Sequence, residues 1–175
     1  LGRIDVDTGM GDITVDRSGP VRAVTSLGDI RLEAAEGPVD ARTSVGSVVV
    51  RSAGDSVSAR TATGDVTVDD AAGALVLHAT TGDVRVGHAH AGLTAKVSTG
   101  DVRVASVHGG VVSVDATYGR IDVGVADGVA AWLDVEARHG AVRSDLEATG
   151  EPQSGDPVVE LRLRSGYGDV VLRRA

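Results

Sequence analysis

The segments ATGDVTV (62–68), TTGDVRV (80–86) and STGDVRV (98–104) are near-copies of one another at a strict 18-residue interval. A motif written at a fixed period is a structural unit that stacks on its own copies, and no other feature of this chain narrows its fold so far. With the glycine as anchor, the unit recurs at Gly11, Gly28, Gly46, Gly64, Gly82, Gly100, Gly119, Gly140 and Gly168. Successive anchors lie 17, 18, 18, 18, 18, 19, 21 and 28 residues apart, so nine copies fill the 175-residue chain.

Four columns stay apolar when the copies are aligned on that glycine. Seven residues before it stand Ile4, Val21, Val39, Val57, Leu75, Leu93, Val112, Leu133 and Leu161. Five before it the column runs from Val6 through Ala41 and Leu77 to Leu163, and two after it from Ile13 through Val66 and Val102 to Val170. Four after it every copy is Val or Leu except one, Ser144. Polar residues such as Arg60, Arg85 and Arg103 fall between these positions. Alternation on both sides of the anchor predicts two period-2 strands per copy, separated by turns. Like stacked on like then predicts an all-β fold, a parallel β-solenoid (β-helix) of about nine two-strand coils with an 18-residue repeat. Antiparallel stacking of hairpins is the competing arrangement. The core composition agrees: Phe is absent and aromatics are 2%, leaving small β-branched side chains suited to a thin interior.

The chain reads as a single repeat domain, 1–175, with a loop insertion near 147–157, where EATGEPQSGDP supplies the excess of the last interval. Pro152 and Pro157 cannot donate to a strand ladder, which favours a solvated excursion. No segment is apolar for the ~18 residues that a membrane-spanning helix needs. No signal peptide is visible, and a start at Leu1 is compatible with an excised fragment. The absence of Cys excludes disulfides and thiolate metal sites. A net charge of −8 argues against nucleic acid, whose binding surfaces are basic.

No catalytic residues stand out. Phosphate-loop and nucleophile-elbow patterns are absent, and Trp132, Tyr118 and Tyr167 are too few to line a glycan-cleaving cleft. No cofactor is implied. Asp12, Asp29, Asp65, Asp83, Asp101 and Asp169 form a column after the glycine. We read them as turn caps, with Arg31, Arg85 and Arg103 interleaved to offset their repulsion. Two constellations carry more. His88 and His90 share a turn, His108 falls one period beyond His90, and Asp70 one period before His88, a ligand set for zinc or nickel. Four residues before consecutive anchors, Arg42, Arg60, His78 and Lys96 form a cationic ladder with Ser44, Thr80, Ser98 and Thr117 beside it. Such a row suits an anionic polymer, a phosphate-bearing wall glycan or lipid headgroup.

The recurrent S/T-G-D-V/I-x-V/L strand, fullest in ATGDVTV, TTGDVRV and STGDVRV and close in SLGDIRL (26–32) and GYGDVVL (166–172), resembles a bacterial β-strand-repeat family of unknown function that carries an adhesin label. The resemblance spans essentially the whole chain and departs where Ser47, Arg120 and Ala141 replace the Asp. It implies a β-helix and a link to the cell envelope, with no catalytic residue to transfer. The expectation is a non-enzymatic structural or adhesive interaction module, envelope-associated, whose partner is a protein or an anionic envelope glycan. The alternative is a cytoplasmic scaffold or envelope-stress regulator that self-assembles through its ends. Asp5 and Asp7 in the first coil, against Arg162, Arg164, Arg173 and Arg174 in the last in sequence, predict head-to-tail self-association through stacked ends.

Overall fold

The computed structural model describes residues 2–126, 129–145 and 158–174. Each repeat forms a rung of two strands folded about its anchor glycine. The first four rungs are β1 (Ile4–Met10) and β2 (Ile13–Ser18), β3 (Val21–Leu27) and β4 (Ile30–Ala35), β5 (Val39–Val45) and β6 (Val48–Ala53), and β7 (Val57–Thr63) and β8 (Val66–Ala71). Three more follow: β9 (Leu75–Thr81) and β10 (Val84–Ala89), β11 (Leu93–Thr99) and β12 (Val102–Val107), and β13 (Gly110–Tyr118) and β14 (Ile121–Val125). The last two are β15 (Ala130–His139) and β16 (Val142–Ser144), then β17 (Val158–Tyr167) and β18 (Val170–Arg174). Odd strands form one nine-stranded sheet and even strands the other. Every pairing is parallel, with anchor-aligned residues in register. The expected solenoid is present, and the hairpin alternative is excluded. Among the described residues no helix is long and apolar enough to cross a membrane.

The two sheets face each other across a core of Val, Ile, Leu and Ala. The four expected columns are buried in every internal rung. Two further columns point inward. Three residues before the anchor stand Thr25, Thr43, Thr61, Ala79, Val97, Ala116 and Ser165, all buried. The Thr hydroxyls reach the anchor carbonyl of the preceding rung, Thr43 to Gly28 at 3.1 Å and Thr61 to Gly46 at 3.0 Å, so burial leaves them paired. Seven residues after the anchor, Ala35, Ala53, Ala71, Ala89 and Val107 are also buried. The sequence reading missed both columns, one because half of it is polar and the other because two exposed residues precede it.

The anchor is glycine for a steric reason. At Gly28, Gly46, Gly64, Gly82, Gly100, Gly119, Gly168 and Gly140, a Cβ would overlap the carbonyl oxygen of the glycine on the neighbouring rung. Seven of these eight also hold φ between 141° and 153°, a region that side chains penalise. The following Asp then caps across rungs: Oδ1 of Asp12, Asp65, Asp83 and Asp101 accepts the amide N–H of Asp29, Asp83, Asp101 and Arg120 at 2.8–2.9 Å. Capping by Asp is therefore observed, but the interleaving with Arg is not. Among the described residues Arg31, Arg85 and Arg103 form no ion pair.

Rung order departs from chain order. Seven rungs follow in sequence, but β17 lies between β13 and β15, and β18 between β14 and β16. The last repeat is thus an internal rung, and the eighth closes the stack. The charges agree with this order, although among the described residues Arg164 closes no ion pair with either neighbour. Arg164 stands in register with Asp115 on one side and Glu136 on the other; chain order would have set Asp115 directly against Glu136. Opposite charges across strands contribute roughly 0.2–1 kcal/mol, and like charges cost a similar amount. The closing rung is marked by its own residues: Leu133 and Val142 are 46% and 47% exposed, Ser144 breaks the apolar column, and Ala141 has no further rung whose amide an Asp would cap.

This order corrects the expected end pairing. Arg162, Arg164, Arg173 and Arg174 belong to the internal rung, with Arg173 paired to Asp122 at 3.0 Å. The exposed ends instead present Asp5 and Asp7 at one face and Asp134 and Glu136 at the other, in the same two columns. Those like charges oppose a head-to-tail continuation. The predicted insertion at 147–157 lies outside the described residues.

Two outcomes test these constraints. Gly82→Ala should lower stability by about 2 kcal/mol or more through its backbone conformation alone, seen as a shifted urea midpoint, whereas Asp83→Asn should cost no more than about 1 kcal/mol. Arg164→Glu should speed amide exchange across 130–144 and leave the first four rungs protected, and adding Glu136→Lys should restore protection.

Candidate functional site

Outward positions are released from the core, so the chemistry of this solenoid lies in its outward columns. The cationic ladder forms as expected: Arg42, Arg60, His78 and Lys96 are consecutive register partners on β5, β7, β9 and β11. Neighbouring strands are about 4.8 Å apart, which sets the spacing of the row. Its members differ. Arg42 is already engaged, its Nε and Nη2 donating to the two Asp40 oxygens at 3.1 and 3.3 Å. Arg60, His78 and Lys96 are exposed and, among the described residues, form no ion pair.

The surroundings of those three matter more than the row itself. The outward residues of β7, β9 and β11 include no carboxylate, on a chain with 25 acidic residues. Ser58, Thr63, Thr80, Thr81, Thr94, Ser98 and Thr99 surround the cations with hydroxyls. Asp40 bounds this window on one side and Asp115, in register with Lys96, on the other. Of the serines and threonines expected beside the ladder, Thr80 and Ser98 lie inside the window, Ser44 and Thr117 just beyond it.

The histidine cluster assembles on the other sheet. Asp70, His88 and Ser106 share one register column on β8, β10 and β12, and His90 and His108 follow in the adjoining turns. The His90 and His108 rings stack with centroids 4.7 Å apart and planes at 16°, and His88 lies 5.6 Å from His108. His90 Nε2 is 2.9 Å from Asp70 Oδ1, His108 Nε2 is 3.2 Å from Ser106 Oγ, and His108 Nε2 is 3.4 Å from His88 Nδ1. The four expected residues lie close together, and Ser106 joins them one period after His88, but among the described residues no three of these donors group to hold one ion. Burial, and then the neighbouring His90 and His88, hold the His108 pKa below its ordinary 6.5, with Asp70 opposing.

Three further rings were not anticipated as a group. Tyr118, Tyr167 and His139 each precede an anchor glycine and stack in spatial rung order, Tyr118 on Tyr167 at 4.9 Å and Tyr167 on His139 at 4.6 Å. Their shared place before the glycine was the available signal. The ladder cements the intercalated rung, since offset and stacked aromatic pairs add about 0.5–1.5 kcal/mol beyond burial.

A two-sided parallel solenoid with chemistry confined to outward columns is the class of protein these features define. The family model described as Toastrack, DUF4097, matches residues 1–173, and the chain belongs to that β-repeat family, whose function is unknown. No curated protein and no solved structure matches it.

The lowered His108 pKa makes a signed prediction. Above pH 6.5 the ring is neutral in both folded and unfolded chains; as pH falls through 6.5 the unfolded chain takes a proton that the folded one resists, so stability is lost. Melting temperature should decline on acidification from neutral pH, and His108→Gln should flatten part of that decline.

Proposed function

We propose that this Toastrack domain is a non-enzymatic interaction module that binds an anionic glycan along the outer face of β7, β9 and β11. The observation behind this reading is the acid-free window: Arg60, His78 and Lys96 in one column, ringed by hydroxyls, on a chain of net charge −8. Folding does not require it, because outward residues elsewhere include Asp40, Asp69, Asp115 and Glu160. Arg60 and Lys96, two rungs and so about 9.6 Å apart, flank the His78 imidazole and present a positive line to a polymer laid along the stacking axis. The flanking Ser and Thr supply donors and acceptors for sugar hydroxyls. A parallel solenoid holds such a line at constant spacing, so the ligand meets a pre-organised surface. Anionic glycans are cell-envelope polymers, which is the sense in which an adhesive, envelope-associated role fits the domain.

Sedimentation with polygalacturonate, and with dextran as the neutral control, tests the reading. Binding to polygalacturonate that weakens as salt rises, because exposed pairs are screened over about 8–10 Å, and that is lost in Arg60→Glu and Lys96→Glu is the expected result. Equal binding to dextran, or binding unchanged in both variants, overturns it. Capture by phosphatidylglycerol vesicles in preference to the polysaccharide would make the ligand a lipid surface instead.

A further inference from the structure

We infer that His88 and His108 form a two-imidazole binding site for a divalent transition-metal ion of the copper, nickel and zinc class. The site lies on the second sheet, apart from the cationic window. His88 Nδ1 and His108 Nε2 face one another at 3.4 Å. Two nitrogen ligands on a tetrahedral ion, with bonds of about 2.0–2.1 Å, stand about 3.3–3.4 Å apart. An ion seated to one side of the line between these nitrogens therefore meets both at bonding distance.

Ser106 Oγ is 3.2 Å from the same His108 nitrogen, a contact that an incoming ion displaces, because that nitrogen offers a single in-plane lone pair. His90 stacks on His108 and is itself held by Asp70 through Nε2 at 2.9 Å, so the face against which the His108 ring rests is fixed. Among the described residues no three histidine or acidic donors surround one point, so the bite is two-nitrogen and the remaining positions take water. His88 is exposed and His108 half-buried, which leaves an ion a direct path. Imidazole donors select copper, nickel and zinc, whereas magnesium and calcium prefer oxygen.

Titration calorimetry of the intact chain with zinc, copper(II) and magnesium decides the matter. The expected result is one equivalent of zinc, tighter copper(II) in keeping with the usual order of divalent stabilities, and no magnesium. His88→Ala and His108→Ala should each abolish the zinc heat, and His139→Ala should leave it unchanged. Circular dichroism of each variant checks that the solenoid is intact. Absence of both zinc and copper(II) binding overturns the site, as does zinc binding that survives both His88→Ala and His108→Ala. Magnesium binding equal to zinc would also overturn it, because that would report only attraction to a chain of net charge −8.

Discussion

At the anchor glycines the chain runs backbone against backbone, each rung occupying the volume that a Cβ of the next would need. That approach dictates the rest. It fixes the rung separation at the parallel-strand value, aligns every column without a register shift through the first six rungs, and turns the chain from one sheet to the other at a point where few residues but glycine fit. The Asp that follows is a consequence. With the turn compressed, a backbone amide at its far side faces the neighbouring rung, and a carboxylate there accepts its hydrogen bond. The Gly-Asp pair is thus one device in two parts, a steric allowance and the polar satisfaction it makes necessary.

A solenoid of near-identical rungs faces a problem of order, since any rung can stack on any other through the same columns. Inward columns carry no information here: Val114, Leu163 and Val135 are interchangeable in shape and polarity. The discrimination comes from outside. Arg164 separates two carboxylates, and Tyr167 enters between Tyr118 and His139 as the middle ring of a stack. Together with the loss of apolar character at Ser144, these features put the eighth repeat at the end, because that rung covers the stack without needing to be covered.

This separates what was legible in the sequence from what was not. Alternation revealed the strands, and the constant period revealed the parallel stacking, because both are properties of a column. Rung order is a relation between columns at the same height on different rungs, and it was misread by assuming that neighbours in sequence are neighbours in space. The charges of Asp115, Glu136 and Arg164 would have shown the conflict. The column of Thr25, Thr43 and Thr61 was missed because a hydroxyl reads as solvated, when a carbonyl one rung away satisfies it. The shared column of Asp70 and His88 was legible because both lie on strands where the 18-residue period holds, and His108 stacks on His90, one period before it.

Because folding is carried by glycines and inward columns, an outward position in a middle rung is nearly free of structural demand. Carboxylates occupy outward positions of some rungs, as at Asp16, Glu33, Asp69 and Asp122 on the even sheet, and leave others free of acid, as on β10 and β12. The outward positions of β7, β9 and β11 hold no carboxylate; apart from Ala62 and Val76 they carry Arg60, His78, Lys96 and hydroxyls. The window also sits three rungs from the first end and beside neither terminal edge, so it does not serve to keep open edges apart, the task for which charged residues are most often placed on strands. A surface that folding leaves unconstrained and that edge protection does not need, and that carries Arg60 and Lys96 among hydroxyls on adjacent rungs, is free to meet a ligand.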